Sequence, residues 1–164
     1  MNIYTDGACK ENARENRVAT GTGGWAYVVL TQKPKQDMEI MIKNSGRQEG
    51  STNQEMEIRA VTKAFEAIKD IDVEEVNLYS DSAYVINCLK DRWFVKWREN
   101  GWLNSKGSPI INQTEWERML SFVESKNVKF FHIRRNSSKY IKIVDSMAKK
   151  ETRKETNQEQ QEQL

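Results

Sequence analysis

Residues 53–80, "NQEMEIRAVTKAFEAIKDIDVEEVNLYS", decide the fold class of this chain. The first part repeats apolar side chains at helical spacing, which predicts a helix over residues 53–69, with "STNQE" supplying capping residues at its start. Residues 73–80 then form a short apolar run typical of a buried strand. A helix that leads into a buried strand indicates an α/β domain with crossover connections. The predicted apolar stripe of the helix consists of Met56, Ala60, Val61, Ala64, Phe65 and Ile68.

The segments on either side complete a mixed sheet. Before the helix, residues 2–10, 24–32 and 38–46 have strand patterns and short connections, which predicts an antiparallel meander. Residues 10–23 are polar and end within the glycine-rich "TGTGG" of residues 20–24, which predicts a loop. After the helix we expect further helices, one last strand, and a final helix that starts near Tyr140. The later elements are helices over 82–90, 92–100 and 112–126, and a strand over 128–133.

The predicted architecture is therefore a mixed five-stranded sheet, three antiparallel strands followed by two parallel ones, flanked by helices. Residues 1–150 are expected to form one domain, because 164 residues suffice for one core but not for two. Residues 151–164 form a polar C-terminal tail with a single apolar residue, for which we expect either a helical extension or disorder.

Composition excludes several classes of protein. No apolar run approaches the roughly 20 residues that span a bilayer, and no signal peptide is visible. The two cysteines, Cys9 and Cys88, provide no disulfide framework. These features predict a cytoplasmic monomer with no membrane partner.

The net charge of +2 predicts no partner, but its distribution is informative. Residues 126–142 contain six Lys or Arg and no acid, and residues 89–106 contain five Lys or Arg interleaved with three tryptophans. Basic residues mixed with aromatic ones suit a phosphate backbone. The alternative is that both segments are ordinary solvated loops.

Four acidic residues lie on or beside elements that otherwise have core patterns: Asp6, Glu57, Asp81 and Asp145. Burying a carboxylate is costly unless its charge is offset, and a divalent cation is the simplest means for a group of four. Each residue also has an ordinary explanation. Asp6 could precede a turn, Glu57 could be a first-turn acid, Asp81 could be an N-cap, and Asp145 could pair with a lysine.

The motifs around these residues resemble those of the ribonuclease H family, type 1. They are "YTDGAC", "STNQEMEI", "YSDSAYV" and "VDSMA", in this order and spacing, and the match covers roughly residues 2–150. The segment with Trp93, Trp97 and Trp102 resembles the basic protrusion of many members. The resemblance implies a ribonuclease H-like fold with a Trp-containing basic protrusion.

This resemblance implies an endoribonuclease that hydrolyses the RNA strand of RNA–DNA hybrids and leaves 5′-phosphate and 3′-hydroxyl ends. It implies two Mg²⁺ ions, or Mn²⁺ as a substitute, bound by Asp6, Glu57, Asp81 and Asp145. Asp6 and Asp81 would be the central ligands. Glu57 would serve the leaving side and could touch a ribose 2′-hydroxyl, and Asp145 would serve the side on which water is activated.

Substrate contacts follow from the same resemblance. Trp93 and Trp97 would form the surface for the DNA strand, although core packing is the alternative for such an aromatic pair; Trp102 is assigned to packing. The family positions that contact RNA correspond to Gly7, Cys9, Asn53 and Gln54, and those of a DNA-phosphate pocket correspond to Thr52 and Asn112.

Two regions depart from the family pattern. The usual loop histidine is absent: the lone His132 falls on the predicted last strand, and counting back from Asp145 places Arg135 at the usual position. We expect Arg135 to aid substrate positioning or product release, since arginine does not shuttle protons near neutral pH. The 10–23 segment replaces a shorter Gly/Pro-rich connection, and neither Asn12 nor Asn16 aligns convincingly with its RNA-contacting Asn.

Two other functions remain open at this point. One is a catalytically weak or inactive hybrid-binding module, suggested by the missing histidine. The other is a resolvase-like DNA nuclease on the same fold. The "TNQ" segment and the tryptophan protrusion favour the hybrid endoribonuclease.

Overall fold

The computed structural model describes residues 1–11, 14–15, 18–32 and 38–154. Five strands form one mixed sheet in the order β5-β4-β1-β6-β7, and two short strands form a separate hairpin. The strands are β1 (Asn2–Lys10), β2 (Arg14–Glu15), β3 (Val18–Ala19), β4 (Gly21–Gln32), β5 (Met38–Ser51), β6 (Val76–Ser80) and β7 (Val128–His132).

Five helices flank this sheet: α1 (Asn53–Ala67), α2 (Ala83–Lys90), α3 (Trp93–Glu99), α4 (Gln113–Val123) and α5 (Lys139–Thr152). Strands β1, β4 and β5 are antiparallel, whereas β6 is parallel to both β1 and β7. The predicted fold class is thus confirmed, including the mixed five-stranded sheet with three antiparallel and two parallel strands.

The end of the predicted 10–23 loop is wrong. Residues 21–23 belong to β4, which pairs with β5 as far as Gly21↔Ser51, and residues 14–15 pair with 18–19 in the small hairpin. Glycines permit this because Gly23 and Gly24 lie so close to Met56 and to the backbone of Ala148 that a Cβ atom would clash. Asn12, Asn16 and the short connection at residues 33–37 lie outside the described residues.

The sheet separates two apolar cores of unequal size. Helices α1, α2 and α4 cover one face, and all six residues of the predicted α1 stripe are buried there. Helix α5 alone covers part of the other face, where Ile141, Val144 and Ala148 pack on Ala26 and Val28. The central strand β1 lies between the two cores, so side chains at its carboxyl end face helices on both sides.

Candidate active site

The carboxyl ends of β1 and β6 bring two of the acidic residues together. Asp6 lies within β1, and Asp81 directly follows β6, whose last paired residue, Ser80, is opposite Thr5. Glu57 projects from the first turns of α1, and its carboxylate is within 4.8 Å of oxygens from both Asp6 and Asp81. The sheet edge where a parallel strand leads into a helix is where open α/β sheets place their ligands.

Gly7 fixes how closely β1 approaches α1. A Cβ atom at this position would lie 2.4 Å from the backbone nitrogen of Glu57 and 2.4 Å from the carbonyl carbon of Met56. The Gly7 N–H also donates a hydrogen bond of 3.0 Å to Oδ1 of Asp6. The glycine therefore allows the strand that carries one carboxylate to touch the helix that carries another.

The structure does not support three of the four ordinary explanations for the acids. Asp6 lies in a paired strand rather than before a turn. The N-cap of α2 is Ser82, whose Oγ accepts from the Val85 N–H, so Asp81 is not the cap. The acid in the first turn of α1 is Glu55, whereas Glu57 is buried and only 7% exposed.

Burial and the crowding of like charges raise the pKa of Asp6 and Glu57, the two acids of this group that are most buried. Burial, and then the nearby charge of Asp81, raises the pKa of Asp6 to about 8. Burial and the charge of Asp6 raise the pKa of Glu57 well above its ordinary value. Both shifts have the same two causes: burial away from water, and then the charge of neighbouring carboxylates.

Asp145 completes the group from α5, and its surroundings differ. Its carboxylate lies beside that of Asp6 and accepts from Lys149 at 3.0 Å. Although partial burial raises its pKa, the hydrogen bonds with Lys149 and Asp6 and the charges of Lys149 and Arg135 outweigh burial and lower it. Asp145 therefore does have the lysine partner that its ordinary explanation predicts, and it also lies beside the other carboxylates.

Arg135 lies at the mouth of the group. Its Nε is 3.6 Å from Oδ2 of Asp81 and 3.6 Å from Oδ1 of Asp145, and its side chain is 58% exposed. An exposed guanidinium between two carboxylates offsets part of their negative charge. The structure thus places Arg135 with the four predicted carboxylates.

The buried oxygens show that these residues fit divalent cations. Oδ2 of Asp6, Oε2 of Glu57 and Oδ1 of Asp145 are inaccessible to water and have no hydrogen-bond partner within the described part of the chain. Unpaired buried acceptors are costly, and hard cations such as Mg²⁺ and Ca²⁺ prefer carboxylate oxygens. The donor set therefore suits a divalent metal ion.

His132 has a structural position, as its placement on the last strand predicted. It is the final residue of β7, and its Nε2 is 3.2 Å from the backbone oxygen of Asp81. The ring therefore contacts the backbone of one acidic residue instead of extending from the loop that follows. Arg135, in that loop, contacts two of the carboxylates instead.

The residues around the start of α1 form a second part of the site. Thr52 caps the helix, with its Oγ1 accepting from the Glu55 N–H at 3.3 Å, so its hydroxyl is already engaged. Asn53 and Gln54 follow it and are exposed. Cys9 lies near them across the sheet end, because its Sγ donates to the backbone oxygen of Ser51 at 3.4 Å.

Asn112 begins α4 in a left-handed conformation, with φ of 66°. Arg59, two turns into α1, forms an ion pair with Glu115 in the first turn of α4. This pair holds the starts of the two helices near each other, so Thr52 and Asn112 belong to neighbouring helix ends.

The tryptophans of α3 are half-buried and contribute to packing. The Trp97 ring contacts Trp102 at 6.0 Å and Trp116 at 5.5 Å between centroids, and the Trp93 ring contacts Tyr84 at 6.0 Å. Trp102 is buried, as predicted. Core packing therefore accounts for part of each of the other two rings, and the remaining part of each is open to solvent.

The sequence analysis did not single out Lys149, which contacts Asp145. Its spacing of four residues from Asp145 on a predicted helix was the available signal.

Together the fold and the site define a class: an α/β protein with a carboxylate centre suited to divalent cations at the carboxyl edge of a mixed sheet. No helix within the described ranges combines the length and the apolar character needed to cross a membrane.

Comparison with known proteins narrows this class. The RNase H family profile matches residues 1–153. A ribonuclease H of Thermoanaerobacter sp. (strain X514) is 36% identical over 96% of this chain and 93% of its own length. One of Clostridium botulinum (strain Hall) is 32% identical over 89% of this chain and 91% of its own length. This chain therefore belongs to the ribonuclease H family, and the expectation that it is a hydrolase of this family is confirmed.

Solved structures show the same fold. LC9-RNase H1, described as a type 1 RNase H with the type 2 active-site motif, superposes with a TM-score of 0.78 at 24% identity, over 91% of this chain and 70% of that one. LC11-RNase H1, solved in complex with an RNA/DNA hybrid, superposes with a TM-score of 0.65 at 17% identity, over 91% and 94%.

Proposed function

We propose that this protein hydrolyses the RNA strand of RNA–DNA hybrids and leaves 5′-phosphate and 3′-hydroxyl ends. The observation that carries the proposal is the group of carboxylates from Asp6, Glu57 and Asp81, within 4.8 Å of one another in a member of the ribonuclease H family. The negative charges of such a group repel one another, and divalent cations bound between them would offset this repulsion. Cations held there could also bind a phosphate of the substrate.

Asp6, Glu57, Asp81 and Asp145 would hold two Mg²⁺ ions, with Mn²⁺ as a possible substitute. When bound, such a pair supplies an activated water and stabilises charge on the attacking and leaving oxygens of a phosphodiester. The unpaired buried oxygens of Asp6, Glu57 and Asp145 support this assignment.

The chain's own residues orient the substrate around that centre. Arg135 lies 3.6 Å from two of the carboxylates and is mostly exposed, so its guanidinium can bind a phosphate oxygen and hold the strand in position. An arginine side chain does not shuttle protons near neutral pH, so Arg135 would act by charge and geometry. The Lys149 ammonium keeps Asp145 ionised and oriented.

Recognition of the hybrid would use the two helix starts and the α3 surface. Asn53, Gln54, Gly7 and Cys9 would contact the RNA strand, where 2′-hydroxyls distinguish RNA from DNA. Thr52 and Asn112 would bind a DNA phosphate between the neighbouring ends of α1 and α4. The DNA strand would lie along the open edges of Trp93 and Trp97, which the core holds rigid through Tyr84, Trp102 and Trp116.

We further assign residues 1–150 to the catalytic domain and 151–164 to a tail, in a cytoplasmic monomer.

The test is cleavage of a labelled RNA–DNA hybrid by the purified protein with Mg²⁺ or Mn²⁺, with double-stranded DNA and double-stranded RNA as controls. Cleavage of only the RNA strand of the hybrid supports the proposal, provided that an Asp6→Asn variant is inactive. Hybrid binding without cleavage would indicate a binding module, and DNA cleavage would indicate a resolvase-like nuclease.

A further inference from the structure

A basic pocket lies next to the carboxylate centre, and the mechanism above does not use it. The cavity has a volume of about 280 Å³ and lies where the end of β1, the start of β4 and the end of α5 meet. Four cations and one acid line it: Lys10, Arg47, Arg153, Lys154 and Glu11. We name these five residues the basic pocket.

Arg47 provides the main evidence that the pocket is built for an anion. Its Nη2 pairs with Oε1 of Glu49 at 3.1 Å, but its Nε and Nη1 are buried and have no hydrogen-bond partner among the residues that the structure describes. An unpaired buried donor is unfavourable, because it has lost its hydrogen bonds to water without a replacement. An anion in the cavity would offer acceptors to the Arg47 guanidinium, whose planar forks suit the bidentate contacts that phosphate favours.

The other cations of the pocket leave part of their charge available. Lys154 is engaged, because its Nζ donates to Oε1 of the buried Glu151 at 2.6 Å. Lys10 and Arg153 are both exposed, and within the described ranges neither forms an ion pair. The pocket lies at the carboxyl end of α5, where the helix dipole is negative, so side chains alone supply its positive potential.

Two elements connect the pocket to the carboxylate centre and set the distance between them. Strand β1 carries both Asp6 and Lys10, four residues or about 14 Å apart in a strand. Helix α5 carries both Asp145 and Thr152, which also lines the pocket, seven residues or about 10 Å apart in a helix. Since one strand of a duplex places a phosphate every ~3.4 Å along the axis, this separation spans about three to four base pairs.

We propose that the basic pocket binds a backbone phosphate of the nucleic-acid substrate three to four base pairs from the position of cleavage. This inference rests on the proposed function, because it assumes that the substrate crosses the carboxylate centre. It adds a contact on the α5 side of the sheet, separate from the contacts expected at the starts of α1 and α4. Sequence reasoning missed it because the cations come from three elements without a common motif.

The experiment measures hybrid binding as a function of salt, in the Asp6→Asn background so that the substrate is bound but not cut. Loss of one phosphate contact should weaken binding several-fold and reduce the slope of log affinity against log salt by about 1. We expect this result for Arg47→Gln, and a similar or larger one for the double variant Lys10→Gln/Arg153→Gln.

The matched control is Lys43→Gln, which removes the same charge from an exposed position on the same strand as Arg47. Arg47→Lys keeps the charge and should restore most of the slope. If Arg47→Gln does not fold, the double variant still decides, since both of its residues are exposed. A slope equal to that of Lys43→Gln in Arg47→Gln and in the double variant overturns the proposal.

The outcome is independent of the test of function. If the parent protein cuts no hybrid while the pocket variants lose salt dependence, the proposed activity fails and the phosphate site stands. If the parent protein cuts hybrid while the slope is unchanged in the pocket variants, the phosphate site fails alone.

Discussion

The carboxylate centre and the basic pocket are linked by the same strand and the same helix, yet their charged groups are exposed to water to very different degrees. The centre buries negative groups so completely that the pKa of Asp6 rises to about 8. The pocket leaves its positive groups mostly exposed and buries only part of Arg47. Buried charge demands a tightly bound counter-ion, whereas exposed charge attracts a mobile polyanion. This difference separates a site for chemistry from a site for positioning.

Asp6→Asn should have the largest effect, and it acts on the centre alone. The substitution removes a carboxylate shared by the whole group, so the initial rate of hybrid cleavage with Mg²⁺ should fall on the order of 10³-fold, the scale of losing a preorganised charge-stabilising group. Asp72→Asn, an exposed acid in the loop after α1, should cut at the parental rate. If Asp6→Asn cleaves the hybrid at a rate near that of the parent protein, the carboxylate centre is not required for cleavage.

Gly7→Ala tests whether the centre depends on the contact between β1 and α1. The added Cβ would meet backbone atoms of Met56 and Glu57 at 2.4 Å. We expect a loss of about 3 kcal/mol in urea unfolding, near the upper range for overpacking, together with weaker Mg²⁺ binding.

Gly107→Ala is the control for that variant, because its Cβ would meet nothing within 4 Å. It should cost only the left-handed backbone penalty of about 1–2 kcal/mol and leave Mg²⁺ binding unchanged. Equal losses in the two variants would contradict the close-contact argument.

Arg135→Ala removes the one arginine that contacts the carboxylate centre, between Asp81 and Asp145, within the described part of the chain. Loss of a charged contact worth about 1.5–3 kcal/mol should slow turnover roughly tenfold to a hundredfold. Mg²⁺ should still raise the melting temperature, because the four carboxylates remain. Arg134→Ala changes the exposed neighbour and should have little effect on turnover. An unchanged kcat in Arg135→Ala would reject its role.

The pH dependence of metal-free stability tests the burial and crowding of Asp6 without any substrate. Because the pKa of Asp6 is raised from 3.8 to about 8, its folded form favours the proton. This contribution to stability is complete below about pH 4 and is lost as pH rises towards 8, at up to about 1.4 kcal/mol per pH unit. Urea unfolding without metal should therefore show a larger gain for Asp6→Asn over the parent protein at pH 7 than at pH 5.

Added Mg²⁺ should reduce that gain, because a cation replaces the proton as the partner of the carboxylates. The basic-pocket variants should follow the parental pH profile, since they lie about 10–14 Å away and share no partner with Asp6. If the gain in unfolding free energy for Asp6→Asn were the same at every pH, the carboxylate of Asp6 in the parent protein would not be destabilised by its surroundings.

Particular residues show why the sequence predicted one site and missed the other. Asp6, Glu57, Asp81 and Asp145 each interrupt an apolar pattern, and this conflict between burial and charge can be read without coordinates. Arg47 interrupts nothing, because it lies on an edge strand in which polar residues are ordinary. The donors of Arg47 become buried without partners only when β5, β1 and the end of α5 pack together in the folded protein.

The same reasoning explains the errors in element bounds. The "TGTGG" segment was predicted as a loop because glycine is common in turns, but Gly23 and Gly24 serve close packing against α1 and α5 inside β4. Local composition does not reveal which neighbour a glycine will touch. The central helix and strand were predicted correctly because their apolar periodicity records burial directly.

The position of β1 in the middle of the sheet also has a kinetic consequence. Its backbone is paired with β4 on one side and β6 on the other, so the amide protons of this strand exchange with solvent only when the whole domain opens. Arg135 lies in a connection between β7 and α5, where exchange needs only a local opening. Deuterium uptake should therefore be slowest around Asp6 and fast around Arg135, which means that the buried carboxylate keeps its position while the connection that carries Arg135 opens locally.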